Sequence, residues 1–168
     1  SCSVELIHAG SLILDDLPCM DNASLRRGQK VSHVLFGEAT TILASAALWV
    51  KVFELFKGIE PAQALSITHK VCECIGSKGL IQGQLLDLAS FDQNVSVTEL
   101  EQCYSLKTAT LFELASTIGG VYAGVDDKQL IILNEFARLY GIAYQIRDDI
   151  NDATQLIGES GKDVHLDD

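Results

Sequence analysis

The sequence predicts an all-α fold, and three observations support that prediction. Apolar residues recur at helical spacing through long stretches without turn signals, beginning with Val4, Ile7 and Leu14. A glycine-containing stretch near the middle of the chain follows no strand pattern and lies in no strand–helix–strand unit. The 168 residues, 48% of them hydrophobic, are enough for one domain with a sizeable core over residues 1–168.

The first predicted helix runs from Ser1 to Leu17 and ends in an acidic sequence. Pro18 interrupts its last turn, and a residue that precedes a proline is biased away from helical geometry. Leu17 is therefore predicted to begin a loop that folds Asp21 back toward Asp15. The helix opens without a cap, so we expect that the chain is a fragment or that an earlier segment is missing.

Two apolar helices are predicted in the middle of the chain. One runs from Glu38 to Phe56, and its small residues along one stripe allow close approach of another helix. The other starts at Glu60 and Pro61 and extends to Leu88. A glycine inside a helix costs roughly 1 kcal/mol relative to alanine, so glycines there are expected to have a packing reason. Those in the second helix are Gly76, Gly79 and Gly83.

Later boundaries are predicted from local signals. Thr98 followed by Glu101 matches a capping box at a helix start. Gly119 and Gly120 are expected to loosen or end the helix that follows. A polar turn then leads into a last long helix over Gln129–Ala153. Its inward-facing side chains are predicted to be Leu130, Leu133, Phe136, Leu139 and Ile142.

Charge and cysteine usage exclude several classes of protein. A net charge of −11 argues against a nucleic-acid partner, which needs a basic surface. No uncharged apolar run approaches the ~18 residues of a membrane span. The five cysteines form no CxxC pair and are odd in number, so we expect reduced thiols in an intracellular protein. Cys72 and Cys74 fall on different helix faces, which argues against a shared zinc ion.

An acidic cluster follows the first helix. Asp15, Asp16 and Asp21 lie within seven residues, and Arg26 and Arg27 follow closely. Crowded carboxylates repel each other unless a cation lies between them. Oxygen ligands beside arginines suit a hard cation that is shared with a phosphate group.

A second acidic cluster lies near the end of the last helix. Asp148 and Asp152 are four residues apart and share a helix face, and Asp149 is rotated from them by roughly a quarter turn. The two clusters are expected to face one cavity. Between them in the chain, Lys107 lies among apolar residues, so its ammonium group should either reach solvent or meet an anion.

Six segments occur in a diagnostic order: DDLPCMD (15–21), RRG (26–28), FGE (36–38), GQLLD (83–87), KT (107–108) and YQIRDDIND (144–152). Across nearly the whole chain they resemble the trans-prenyltransferases, the polyprenyl diphosphate synthases of geranylgeranyl or farnesyl type. The resemblance implies an isoprenoid synthase-type helical bundle around a central cavity, truncated here at both ends.

The same resemblance implies a reaction. Isopentenyl diphosphate condenses with an allylic diphosphate, expected to give geranylgeranyl diphosphate, by ionisation, condensation and proton loss with bound Mg²⁺ ions. It further implies a homodimer whose interface is built by Glu38–Phe56 and the helix after Pro61. The protein is expected in the cytoplasm, or in a plastid if it comes from a plant, and this fragment alone need not be active.

Residue roles follow from the resemblance alone. It implies catalytic roles for Asp15, Asp16, Asp21, Lys107 and Asp148, and magnesium ligands or their supports at Asp15, Asp16, Asp21, Asp148, Asp149 and Asp152. It implies substrate binding by Arg26 (allylic diphosphate), Arg27 (isopentenyl diphosphate), Lys107, Thr108, Gln84 and Gln145. Gln84 and Asp87 lie three apart on one helix face, so they either line the pocket or form an exposed polar pair.

Product length is expected to depend on the residues just before Asp15. In the resembled enzymes a bulky aromatic at the depth of Gly10 closes the pocket at farnesyl length. Gly10 and Ser11 provide no such floor, so we expect a product of geranylgeranyl length or longer, with Ile7, Leu6 or a side chain of the next helix as the new floor. The alternative is that Gly10 only permits close helix packing.

Some positions depart from the family pattern. Leu14 stands where histidine is common, Ala46 where aspartate is common, and Glu159 where lysine is common. Glu159 and Lys162 belong to a polar tail that is expected to act as a flap. Two rival functions stay open: a non-catalytic partner subunit of a prenyl synthase, and a class I terpene cyclase.

Overall fold

The structure is a computed structural model that describes residues 2–90 and 95–153, and its elements confirm the helical class. An antiparallel hairpin of two residues per strand is the one non-helical element in these ranges. The elements are α1 (Cys2–Asp15), β1 (Leu25–Arg26), β2 (Gln29–Lys30), α2 (Ser32–Phe36), α3 (Glu38–Glu54), α4 (Pro61–Ile75), α5 (Leu80–Ser90), α6 (Val97–Tyr104), a π-helical segment (Ser105–Ala109), α7 (Thr110–Ala123) and α8 (Asp127–Ala153).

The chain forms two compact units. The first contains the elements up to residue 55 together with the end of α8 from Asp148, and the second contains residues 56–147. Within the described residues, no helix is both long enough and apolar enough to cross a membrane.

In the first unit, α1 packs against α3 through small residues. Ser45 donates a hydrogen bond to the carbonyl of Gly10 at 2.8 Å, and the Trp49 indole N–H donates to the carbonyl of Ile7 at 3.0 Å. Ile7 and Ser45 are completely buried. Small side chains let two helix backbones approach closely, so the predicted stripe on α3 is confirmed, and Trp49 serves as a packing residue.

In the second unit, α4 packs against α7. Ile67, Val71 and Cys74 of α4 are buried, and so are Leu114 and Thr117 of α7. The buried positions on α4 recur every three or four residues, which is the spacing of one helix face.

All five cysteines are free thiols. Cys72 is exposed and Cys74 is buried, so the prediction that they occupy different helix faces is confirmed. Burial raises the pKa of the Cys74 thiol to about 11, and the thiol donates a hydrogen bond to the Thr110 carbonyl at 3.6 Å. A buried thiol that stays protonated is chemically inert at neutral pH.

The predicted start of α4 is confirmed, but its predicted extension to Leu88 is wrong. The Glu60 carboxylate accepts a hydrogen bond from the Gln63 amide at 3.0 Å, which caps the helix, and Pro61 occupies its first turn. The helix stops at Ile75, and α5 begins at Leu80. A Cβ atom on Gly79 would lie 2.1 Å from the carbonyl oxygen of Cys74, so the chain folds back too tightly there for any side chain.

The start of α6 lies two residues before the predicted capping box. Ser96 caps the helix, and its hydroxyl and amide exchange hydrogen bonds with Glu99. The pair Thr98 and Glu101 has the same spacing, but Thr98 lies inside the first turn because Ser96 already has the extended backbone of a cap.

The predicted junction between α7 and α8 is only partly correct. Gly119 and Gly120 do not end α7, which continues to Ala123 and stops at Gly124 with a φ of 70°. Glycine adopts this left-handed conformation without steric cost. Asp126 accepts a hydrogen bond from the Gln129 amide at 2.8 Å, so α8 begins at Asp127, two residues earlier than predicted.

The predicted inward face of α8 is only partly correct. Ile142 is buried, but Leu133, Phe136 and Leu139 are 39%, 67% and 53% exposed in the part of the chain that the structure describes. Leu130 is half-buried. Gly141 makes a close backbone contact, because an added Cβ would lie 2.5 Å from the Cα of Ala109. Helical periodicity located the apolar residues, but it did not indicate that a glycine also forms a close helix contact.

Candidate functional site

The first acidic cluster lies where α1 ends and the chain turns. The Leu17 amide donates a hydrogen bond to the Leu14 carbonyl at 3.1 Å, and the Asp21 amide donates one to the Asp15 carbonyl at 2.9 Å. The prediction that the loop at Leu17 folds Asp21 back toward Asp15 is therefore confirmed.

Arg26 binds the two aspartates at the end of α1. Its Nε donates to Asp16 Oδ1 at 2.8 Å and to Oδ2 at 3.1 Å, and its Nη2 lies 2.8 Å from Asp16 Oδ1. The same Nη2 lies 3.5 Å from Asp15 Oδ2. Asp16 is 5% exposed, so this ion pair is largely removed from water.

The charge of Arg26 is secured by its neighbours. Burial alone would lower its pKa, but the hydrogen bond to Asp16 and the charges of Asp16, Asp15 and Asp21 outweigh burial and raise the pKa above its ordinary value. Both Asp16 oxygens are bonded to Arg26. This arrangement suits Asp16 to positioning the arginine, whereas Asp15 and Asp21 suit a cation better.

The RRG segment forms a tight hairpin turn. Arg26 pairs with Gln29 in the strands, and Arg27 and Gly28 form the two-residue connection with φ values of 53° and 75°. Positive φ at both positions matches the twist of hairpin strands. Arg26 thus points toward the aspartates, while Arg27 is exposed at the tip.

The positive φ of Arg27 predicts which residues can replace it without loss of stability. Asparagine accepts positive φ and valine does not, so in the full-length protein Arg27→Asn should keep its unfolding free energy and Arg27→Val should lower it by about 1–2 kcal/mol. Urea unfolding measures both, with Arg27→Gly as a control that removes the same side chain without strain. Equal losses for asparagine and valine would contradict the turn geometry.

His8 is a titratable group near these arginines that the motif analysis did not single out. It is half-buried on α1, and its pKa is lowered mainly by burial, with Glu5 opposing and the charges of Arg27 and Arg26 assisting. A lowered pKa keeps the imidazole neutral near pH 7. The signal for it was its position seven residues before Asp15, which is two helical turns.

Lys107 meets an anion of its own chain. In the second unit, its ammonium forms an ion pair with the carboxylate of Asp87, and the two side chains are 26% and 38% exposed. Of the two expectations for Lys107, the anion is therefore confirmed. Asp87 belongs to this ion pair. The two alternatives for Gln84 and Asp87, a pocket lining and an exposed polar pair, remain predictions.

The neighbouring residue Thr108 binds a different helix. Its hydroxyl lies 2.6 Å from Gln145 Oε1 on α8, a contact across 37 residues of sequence. Two residues predicted to bind substrate are therefore in direct contact. No local spacing rule could have predicted this pair.

Gly10 lies against an aromatic ring. An added Cβ would lie 2.5 Å from Trp49 Nε1 and 2.7 Å from Trp49 Cδ1. This contact is an example of close helix packing, which is the alternative interpretation of Gly10. The Ser11 hydroxyl donates to the His8 carbonyl at 2.9 Å, and Ile7 is fully buried. Their roles in product length remain predictions.

The second acidic cluster belongs to the first unit. Asp148 and Asp149 are half-buried, and the unit that contains them also contains Asp15, Asp16 and Asp21. The side chain of Asp152 and the residues Glu159 and Lys162 lie outside the described residues.

Magnesium is compatible with the donors present. Among residues 2–90 and 95–153, no group of three or more histidines, cysteines or acids is arranged to hold a metal. Mg²⁺ commonly takes only one or two protein carboxylates and completes its shell with water and phosphate oxygens. Asp15 and Asp21, joined by the hydrogen bond between their backbones, fit that mode of binding.

Comparison with known proteins finds one family over the whole chain, described as Polyprenyl synthetase and matching residues 1–168. Geranylgeranyl pyrophosphate synthase 7, chloroplastic, of Arabidopsis thaliana is 43% identical in an alignment of 168 positions that covers 96% of this chain and 48% of the relative. A chloroplastic geranylgeranyl pyrophosphate synthase of Catharanthus roseus is 40% identical over 96% of this chain and 47% of its own length.

Solved structures show the same similarity. The geranyltransferase of Helicobacter pylori, in complex with magnesium and isoprenyl diphosphate, superposes with a TM-score of 0.91 at 37% identity, over 98% of this chain and 55% of that one. An apo FPP/GFPP synthase of Zymomonas mobilis gives a TM-score of 0.86 at 33% identity, over 90% of this chain and 56% of that one. The chain thus spans about half the length of the relatives it matches.

Proposed function

Because this chain belongs to the polyprenyl synthetase family, we propose that the full-length protein condenses isopentenyl diphosphate with an allylic diphosphate. The observation that carries the proposal is the match of residues 1–168 to that family. The polar contacts of Arg26, Lys107 and Thr108 support it, because these three side chains suit a diphosphate.

The proposed reaction has three steps, and charged side chains assist the first of them. The allylic diphosphate ionises, the double bond of isopentenyl diphosphate attacks the carbocation, and a proton is lost. Arg26 and Lys107 would place fixed positive charge where negative charge develops on the leaving group. Asp16 holds Arg26 in place for that role.

Magnesium would be held by Asp15, Asp21 and Asp148, with Asp149 and Asp152 as ligands or supports. When bound, it would neutralise charge on the departing diphosphate. Gln84, Gln145 and Thr108 would orient the substrate, and Arg27 would bind isopentenyl diphosphate from the hairpin tip.

Product sizing tests the proposal. The full-length protein is incubated with farnesyl diphosphate, isopentenyl diphosphate and Mg²⁺, and the products are separated by chain length. We expect elongation that consumes isopentenyl diphosphate, and Asp15→Asn should slow it by about 10²-fold or more.

Two outcomes identify the rival functions. A cyclic product formed without isopentenyl diphosphate would indicate a terpene cyclase. No product from the protein alone, together with an altered product of an added synthase, would indicate a non-catalytic subunit.

We further infer a product of geranylgeranyl length or longer. Gly10 and Ser11 carry no bulky side chain, and the relatives named above include geranylgeranyl pyrophosphate synthases. The side chain nearest to Gly10 is Trp49, so a variant that moves bulk onto position 10 must also remove bulk from position 49. Gly10→Tyr combined with Trp49→Ala should shorten the product, and an unchanged product distribution would contradict the inference.

A homodimer is proposed from the surface of α3. Ile42, Leu43 and Val50 are 46%, 70% and 65% exposed, which is a large apolar surface for one helix. Light scattering on the full-length protein should give twice the monomer mass, and Leu43→Glu should lower it. A monomer would contradict the proposal.

The expected location is the cytoplasm, or a plastid if the source is a plant. Plant relatives carry chloroplastic or mitochondrial names, which favours an organelle over the cytoplasm. Imaging a fluorescent fusion of the full-length protein decides between them.

A further inference from the structure

The ion pair between Asp87 and Lys107 is part of a larger arrangement around the π-helical segment. On α5, Gly83 lies one turn before Asp87. A Cβ on Gly83 would lie 2.3 Å from the backbone nitrogen of Lys107 and 2.6 Å from its Cα, so no other residue fits there without movement. Helix α5 therefore contacts Lys107 twice, at the backbone through Gly83 and at the ammonium group through Asp87.

A second helix, α8, contacts the segment in the same way. On α8, a Cβ on Gly141 would lie 2.5 Å from the Cα of Ala109, and four residues later Gln145 bonds the hydroxyl of Thr108. Each flanking helix thus supplies a glycine for close backbone contact and, one turn on, a polar side chain. The π-helical segment is therefore held by contacts with both helices.

The two polar contacts differ in kind. Thr108 and Gln145 are neutral and form a hydrogen bond of 2.6 Å. Lys107 and Asp87 are charged and partly removed from water, which makes the position of the ammonium group depend strongly on its partner. The buried thiol of Cys103 also lies 3.7 Å from Asp87 Oδ1, so the carboxylate is itself held in place.

We propose that Asp87 is a positioning residue, which holds the Lys107 ammonium group where the leaving diphosphate develops charge. This inference rests on the proposed function, since it presumes a diphosphate at Lys107. A lysine side chain has four rotatable bonds and otherwise samples many positions. A cation that is already in place stabilises the transition state without having to be reorganised during the reaction.

A double-mutant cycle tests whether Asp87 acts through Lys107. In the full-length enzyme, Asp87→Asn should lower kcat about tenfold and leave the KM for the allylic diphosphate within about threefold, because the ammonium charge remains but its placement is lost. Asp87→Glu should recover part of kcat. In a Lys107→Met background, Asp87→Asn should change kcat less than about twofold.

The cycle separates positioning from a structural role. An equal loss of kcat with and without Lys107 would mean that Asp87 supports the fold and not the lysine. That result would overturn the inference, and so would a wild-type kcat in Asp87→Asn.

Chemical labelling of Lys107 gives a readout that needs no activity. The full-length protein is treated with a trace of acetic anhydride, and acetylation of each lysine is measured by peptide mass spectrometry. Asp87→Asn should raise the rate at Lys107 about fivefold, since the ammonium loses its carboxylate partner. The exposed Lys57 and Lys128 serve as internal controls and should not change.

A negative elongation assay and a negative labelling experiment would contradict different proposals. If the wild-type protein elongates no substrate, the proposed function fails while the labelling still decides whether Asp87 holds Lys107. If Lys107 is acetylated equally fast in both proteins, the positioning role fails even in an active enzyme.

Discussion

Gly10→Ala is expected to lower the unfolding free energy of the full-length protein by about 1–2 kcal/mol, although alanine favours helices. The added methyl group would lie 2.5 Å from the Trp49 nitrogen that donates to the Ile7 carbonyl. The ring must move and its hydrogen bond must weaken. Overpacking a fixed core costs about 1–3 kcal/mol, which exceeds the gain of up to about 1 kcal/mol in helix propensity.

Gly119→Ala is a matched control on α7. A Cβ on Gly119 meets nothing within 4 Å, so alanine there should raise the unfolding free energy by about 0.5–1 kcal/mol. Urea unfolding of both variants gives the comparison. A gain at Gly10 equal to that at Gly119 would show that the contact with Trp49 imposes no constraint.

Asp16→Ala is expected to destabilise the full-length protein by about 3–5 kcal/mol, the largest single effect that we expect from this site. Asp16 is 5% exposed and is bonded by Arg26 through two nitrogens. Without the carboxylate, a partly buried guanidinium loses its main partner. The change also releases the hairpin that carries Arg27, so binding of isopentenyl diphosphate should weaken in the remaining folded protein.

Two controls separate the ion pair from other causes. Asp16→Leu combined with Arg26→Met removes both charges and should cost less than Asp16→Ala, because no charge is left unpaired. Glu54→Ala breaks the exposed pair between Lys51 and Glu54 and should change stability by less than about 1 kcal/mol. Similar losses in all three proteins would mean that the Asp16 pair behaves like a surface contact.

The features that sequence predicted well depend on short-range chemistry. Pro61 at a helix start and the loop at Leu17 follow from what proline does to the backbone within a few residues. The acidic clusters were also visible, because carboxylates near arginines are rare enough to be noticed in a sequence. Their neighbours in the chain are their neighbours in space.

The contacts that sequence could not predict join distant residues. Trp49 forms a hydrogen bond with Ile7 across 42 residues of sequence. Lys107 forms an ion pair with Asp87 across 20 residues, and Thr108 forms a hydrogen bond with Gln145 across 37 residues. Which side chains meet is decided by the packing of whole helices, and spacing rules within one helix carry no information about it. For the same reason, helical periodicity gave the wrong inward face for Phe136 and Leu139 on α8.

The π-helical segment at Ser105–Ala109 has a consequence for how this stretch can vary. Each residue in an α-helix turns the chain by about 100°, so deletion of a single residue here would rotate α7 by that angle relative to α6. Gly83 and Gly141 would then face the wrong side chains. We therefore expect this five-residue stretch to tolerate replacement of individual side chains far better than any change in its length.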